Sequence, residues 1–222
     1  MIRVLNKLIP AAPGARMRQM VARVMLGVVI AAGCAPILGM ALTPPEPEAI
    51  PRRWQLEIEP GPLRLTTVET DGVPHAYFYL TYRVINNSGE DLLFAPSFEL
   101  STEYGSFRSG IGVPTHVTRE LLKETENKYI EDQISIIGQL MQGKENAKDG
   151  LVIWPANNLN VNSMTVFAAG FSGETTSVEM PATKERVVLR KTLQIKYHAS
   201  GDMSQMLGEV IEREESPRWI MR

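Results

Sequence analysis

Beyond residue 50 this chain alternates apolar and polar residues with a period of two, and that pattern restricts it to sheet. Trp54, Leu56 and Ile58 alternate with Gln55, Glu57 and Glu59, and Pro60-Gly61-Pro62 then reads as a break. Leu63, Leu65 and Thr67 open a second strand. The strongest strand puts Phe78, Leu80, Tyr82 and Val84 on one face and Tyr77, Tyr79, Thr81 and Arg83 on the other. Asn86-Asn87-Ser88-Gly89 supplies its turn, because Asn and Gly tolerate the positive φ of tight turns. Further strands are expected over 92–100, 134–140, 151–154 and 164–169. A late strand aligns Val187, Leu189, Leu193, Ile195 and Tyr197, with Arg190, Gln194 and Lys196 opposite.

Two segments depart from the alternation. Residues 117–132 are rich in Glu and Lys, carry Val117, Leu121, Tyr129 and Ile130, and space Glu124 and Lys128 as a helix would. They predict a helical insertion. Ser204 can cap a short C-terminal helix with Met206, Leu207, Val210 and Ile211 as its stripe, stopped by Pro217. Many antiparallel strands with polar turns imply two packed sheets: an all-β antiparallel sandwich over 51–200, with a C-terminal helix and tail over 201–222. Trp54, Phe78, Leu80, Tyr82, Val84, Phe98, Leu189, Leu193 and Ile195 are expected inward.

The amino terminus points outside the cytoplasm. Arg3, Lys7, Arg16, Arg18 and Arg23 precede an uncharged run over 24–42, the order of an export signal. Residues 1–42 therefore read as a signal peptide or a membrane anchor helix. Gly39 and Ala41 suit cleavage after Ala41, and the 19-residue run just spans a bilayer if retained. Ala31-Ala32-Gly33-Cys34 resembles the lipobox of bacterial lipoproteins, which makes Cys34 a candidate for lipidation. The run has no polar stripe, which argues against a buried cytosolic helix. Pro44, Pro45 and Pro47, interleaved with Glu46 and Glu48, make residues 43–50 a stiff extended linker.

Gly138-Gln139-Leu140, Gly143-Lys144-Glu145 and Gly150-Leu151-Val152-Ile153-Trp154 resemble a hairpin of immunoglobulin-like modules in exported bacterial proteins. The strand end Val84-Ile85-Asn86-Asn87 is similar to theirs. The resemblance implies an immunoglobulin-like sandwich with a role in binding or assembly, and it transfers no catalytic residue.

Charge and cysteine content narrow the chemistry. The first 41 residues hold five of the 23 basic groups and no acid, leaving the rest of the chain at −7. Such a body has no electrostatic reason to seek nucleic acid. One cysteine excludes an internal disulfide framework and cysteine-built zinc clusters. Gly170-Phe171-Ser172-Gly173-Glu174 approaches a serine-hydrolase elbow, but Glu174 stands where glycine is required, so it reads as a turn. His75, His116 and His198 are not at metal-ligand spacing from one another. Asn158, Asn160 and Asn162 lack the carboxylates of a calcium loop. No catalytic residue, cofactor or metal is assigned. The outward face of the Tyr strand, Tyr77, Tyr79 and Arg83 with Trp219 from the tail, is the candidate partner face. Coverage of that face by the helical insertion is the competing reading, as is an apolar tail tucked into its own core. The expected function is a non-catalytic envelope module contacting another envelope protein or a wall polymer, attached to the membrane if the N-terminal segment is uncleaved or lipidated. The competing class is an extracytoplasmic hydrolase with a site assembled from distant loops.

Overall fold

The computed structural model describes residues 45–48, 53–125 and 127–222. The expected signal or anchor over 1–42 and Cys34 lie outside the described residues. The chain divides between Thr43 and Pro44, and the body is the unit Pro44–Arg222. It is mostly β. The strands are β1 (Glu57–Thr70), β2 (Val73–Ile85), β3 (Leu92–Phe94), β4 (Ser97–Thr102) and β5 (Gly105–Arg108), followed by a helix, α1 (Thr115–Glu124). Then come β6 (Ile130–Asp132), β7 (Gly138–Leu140), β8 (Lys148–Pro155), β9 (Asn160–Val161), β10 (Met164–Ala169) and β11 (Thr175–Glu179). The chain ends with β12 (Arg186–Tyr197), β13 (Gly201–Asp202), β14 (Val210–Ile211) and β15 (Arg218–Met221).

Two larger sheets hold most of the body. One runs β14-β1-β2-β8-β6, antiparallel except for the parallel pair of β6 and β8. The other runs β11-β12-β10-β4-β5, with β15 also paired to β12. Side chains of both meet in one core: Leu63, Leu65, Phe78, Leu80, Tyr82 and Trp154 from the first, and Phe98, Leu100, Val166, Leu193 and Ile195 from the second. Tyr82, Phe98 and Phe171 meet ring to ring, with centroids 4.7–5.8 Å apart. The expected inward residues follow this plan, except that Trp54 and Leu189 are only half-buried.

Several local expectations are corrected. Pro60-Gly61-Pro62 does not end a strand; β1 runs through it with a bulge between Pro60 and Leu63. β14 pairs β1 only at Leu63 and Arg64, so Pro60 and Pro62 lie outside that pairing and their missing N–H groups cost no ladder bond there. The Arg213 guanidinium donates to the Pro60 and Gly61 carbonyls. A Cβ on Gly61 would stand 2.5 Å from Thr81 Oγ1, so glycine is needed there. The strand expected over 92–100 is two strands in different sheets, parted at Ala95-Pro96. Of 134–140, only Gly138–Leu140 is extended, because the Asp132 carboxylate accepts the Ile134 and Ser135 N–H groups and folds the preceding residues into a turn.

The helical insertion is real but shorter than 117–132. α1 ends at Glu124, where extended Thr125 donates its N–H to the Leu121 carbonyl and its hydroxyl to the Leu122 carbonyl. Glu124 and Lys128 therefore do not share a helix, and Ile130 begins β6. The C-terminal α-helix does not form. A 3-10 turn, Met203–Met206, is capped by Asp202 rather than Ser204, and Gly208 at φ 80° ends it. Val210 and Ile211 then join the edge of β1, where backbone partners are available.

Candidate functional site

Three places gather the groups that could recognise a partner. The first is the outer face of β2. α1 lies over its upper half: Val117 and Leu121, both fully buried, meet Tyr77, Val68, Leu151 and Ile153 in a second apolar cluster. Tyr77 is 4% exposed, and Tyr79 is half-buried beside it. Burial lifts the Tyr79 hydroxyl above the ordinary tyrosine range against the pull of Arg64. Arg83, below the helix, remains outside, but its donor fork is taken. Its Nε and Nη2 donate to the two Asp149 carboxylate oxygens at 2.8 and 2.9 Å. Asn127 Nδ2 donates to the same carboxylate at 2.5 Å. A shallow cleft of about 460 Å³ opens here, lined by Thr81, Arg83, Thr125, Asn127, Ile130 and Asp149 among others. Tyr77 is thus part of an internal layer, and the exposed guanidinium carries its own counter-ion.

Trp219 belongs to another place. It sits on β15 opposite Leu193, in the other large sheet, so it does not extend the Tyr77–Arg83 face. It lines a cleft of about 700 Å³ with Gln55, Lys191, Gln194, Arg218 and the linker residues Pro45–Glu48. Lys191 is the notable residue. Its alternation with Leu193 and Ile195 turns it inward, and its side chain is 4% exposed. The ammonium lies 2.9 Å from Glu174 Oε2 and 5.8 Å from the Trp219 ring centroid. Glu174 Oε1 accepts the Glu48 backbone N–H at 2.9 Å. Burial would raise the Glu174 carboxyl, but the Glu48 N–H and Lys191 outweigh it and hold it below the usual carboxylate range. Period-two reading over 187–197 could have found Lys191, since it alone puts a charge on the apolar face.

The third place was missed by motif reading. β3 and β7 form a two-stranded ribbon with Leu93 opposite Gln139. Phe94, Ile136 and Leu140 point into the core and are at most 1% exposed. Leu93 in β3, and Ile137 and Met141 flanking β7, are 78, 51 and 52% exposed, with Gln139 opposite Leu93. Asn86 pins the ribbon to the end of β2. Its Nδ2 donates to the Glu90 and Leu140 carbonyls, and its Oδ1 accepts from the Ser88 N–H and hydroxyl. The signal was an apolar run over 134–141 with no polar alternate except Ser135 and Gln139.

The remaining sequence candidates serve local structure. Ser172 Oγ accepts the Glu174 N–H and donates to the Trp54 carbonyl, inside a turn that joins the start of β1. His116 Nε2 lies 3.0 Å from Thr70 Oγ1. Asn158 Oδ1 accepts the Asn160 N–H, and Asn162 donates to Glu103, a carboxylate the sequence did not connect with that loop. Among the described residues no group of three His, Cys, Asp or Glu side chains could hold a metal ion, and no helix is long and apolar enough to cross a membrane. No family model matches the chain, and no curated protein or solved structure matches it significantly.

Proposed function

We propose that the chain is an exported, non-catalytic binding or assembly module of the cell envelope, an immunoglobulin-like sandwich carried behind an N-terminal membrane-directed segment. The observation that carries the reading is the contrast on its surface. Arg83–Asp149 and Lys191–Glu174 spend their charges on each other, whereas Leu93, Ile137 and Met141 stand in water on a braced ribbon. A docking module needs exposed apolar area on a rigid support.

Strand order supports the fold reading. In chain order, β1, β2 and β8 are neighbours in one sheet, and β5, β4, β10 and β12 are neighbours in the other. This neighbour order is compatible with an A-B-E and C′-C-F-G assignment, which supports the immunoglobulin-like reading. α1 and β6 occupy the connection where such modules carry strand D.

The test is topological. Fusing alkaline phosphatase after Arg222 of the full chain, expressed in a bacterial host, is expected to give phosphatase activity, because the reporter works only outside the cytoplasm. An inactive reporter on a full-length, soluble cytosolic product would end the proposal. Cys34→Ser then separates the routes: only a lipidated protein loses its membrane attachment with this change.

A further inference from the structure

We infer that the free edge of β5, with the apolar slot beside it, takes an extended acidic segment of a partner protein as an added strand. The inference rests on the binding role proposed above and gives it a site apart from the β3–β7 ribbon; the route of export does not enter it.

β5 is where the second large sheet stops. Among the described residues it pairs only with β4, and Gly105, Ser106, Phe107 and Arg108 are all exposed. Ser109, the next residue, donates its N–H to the Phe98 carbonyl. Antiparallel ladders alternate, so Phe107 also turns its backbone toward β4, while Ser106 and Arg108 turn theirs to the open edge. The N–H and C=O groups of these two residues match the backbone of another strand.

Side chains set what that strand carries. Leu100 and Phe107 are paired on the core face, yet Leu100 is 2% exposed and Phe107 42%. They line a slot of about 180 Å³ with buried Phe78 and Val161, and with Tyr104 and Pro155. That is smaller than the roughly 300 Å³ of a small-molecule site and suits one apolar side chain. The slot is braced. The Tyr104 hydroxyl donates to the Asn160 carbonyl at 3.0 Å, and the Glu103 carboxylate accepts the Asn162 and Ser163 N–H groups. A partner residue opposite Phe107 has its side chain on the face that lines the slot, and its two neighbours fall on the other face, beside Arg108. Arg108 makes no hydrogen bond or ion pair with another side chain among the described residues, because Glu99 opposite it is taken by Arg222. Acidic neighbours therefore complement it, whereas a second copy paired at this edge would bring another Arg108 to the same face.

Full-chain protein in nonionic detergent is titrated with the fluorescein-labelled peptide Thr-Thr-Glu-Leu-Glu-Thr-Thr, and binding is read by fluorescence anisotropy. Centred on Phe107, this strand puts its leucine at the slot and its glutamates beside Arg108. Saturable binding is expected. It should weaken about tenfold or more when both glutamates are N-methylated, which removes the N–H groups facing β5, or when threonine replaces the leucine. Arg108→Glu is expected to reverse the preference, favouring the peptide with lysines in place of glutamates; a reversal requires folded protein, so it separates recognition from misfolding. No saturable binding, equal binding of the N-methylated peptide, or no reversal in Arg108→Glu overturns the inference, while the ribbon and the export test stand. If the peptide binds as expected but the phosphatase fusion is inactive, the docking edge stands and the envelope reading falls. A dimer of the chain that is lost in Arg108→Pro, with no peptide bound, assigns the edge to a second copy and overturns the inference. A chitin tetrasaccharide that binds the parent but not Tyr104→Ala, with no peptide bound, gives the slot to a glycan and overturns it as well.

Discussion

At the scale of single residues, Lys191 and Glu174 show how a charged pair is tolerated at the rim of a β core. The ammonium has one carboxylate at 2.9 Å and an indole face nearby, and the carboxylate is held on its other oxygen by a backbone N–H. Removing one partner leaves the other charge buried and uncompensated. Glu174→Gln is therefore expected to cost about 3–5 kcal/mol in urea unfolding at neutral pH. The double change Glu174→Leu with Lys191→Met recovers most of that loss. The pH dependence has a definite sign. The Glu174 carboxyl lies below its ordinary range when folded and within it, at about 4.3, when unfolded. Its contribution is complete above the unfolded value and disappears as pH falls through the folded one. The stability gap between the parent and Glu174→Gln should accordingly narrow on acidification below about pH 4.

At the scale of elements, α1 decides what the Tyr strand can do. A ten-residue helix is marginal alone; this one is held by Val117 and Leu121, one turn apart, seated on Tyr77, Leu151 and Ile153. Tyr77→Ser should cost about 3–5 kcal/mol in thermal or urea unfolding, as aromatic truncations in a core do. Arg83→Ala should cost less than about 1 kcal/mol, because its side chain is half exposed and its ion pair is open to water. A reversed order of these two effects would mean that the helix does not cover the strand. The period-two pattern placed Tyr77 and Arg83 on one face correctly. It carried no information about a cover lying some forty positions downstream, since alternation reports which side a residue faces and not what sits on that side.

At the scale of the whole molecule, the tail closes the body. β14 pairs with β1 in one large sheet and β15 with β12 in the other, so the last residues of the chain reach both. Arg222 finishes the closure, its guanidinium 4.0 Å from the Phe167 ring centroid and paired with Glu99. Removing residues 218–222 uncovers Lys191 and the β12 edge and loses buried Met221 and half-buried Trp219. The expected loss is about 3–6 kcal/mol, read as an earlier urea midpoint, together with a rising tendency to aggregate through the opened edge. An unchanged midpoint would mean that β15 is an appendage.

What the sequence determined by itself is the class of the body and the inward face of β2 and β10, because two-residue periodicity is written locally there; β8, buried on both faces from Gly150 to Trp154, does not show it. The sequence also marked the turn at Asn86–Gly89 and the existence of a helix near Val117. Tertiary structure decided the rest, wherever a segment's state depends on a distant partner. Pro60-Gly61-Pro62 remains in a strand because Arg213 satisfies its carbonyls, and residues 203–211 forgo a helix for the edge of β1. Leu93 shares a face with Gln139 only because β3 and β7, separated by β4, β5, α1 and β6 in the chain, pair in one register. Hydrogen-bond partners tens of residues apart leave no periodic trace, so no local reading could assemble that face.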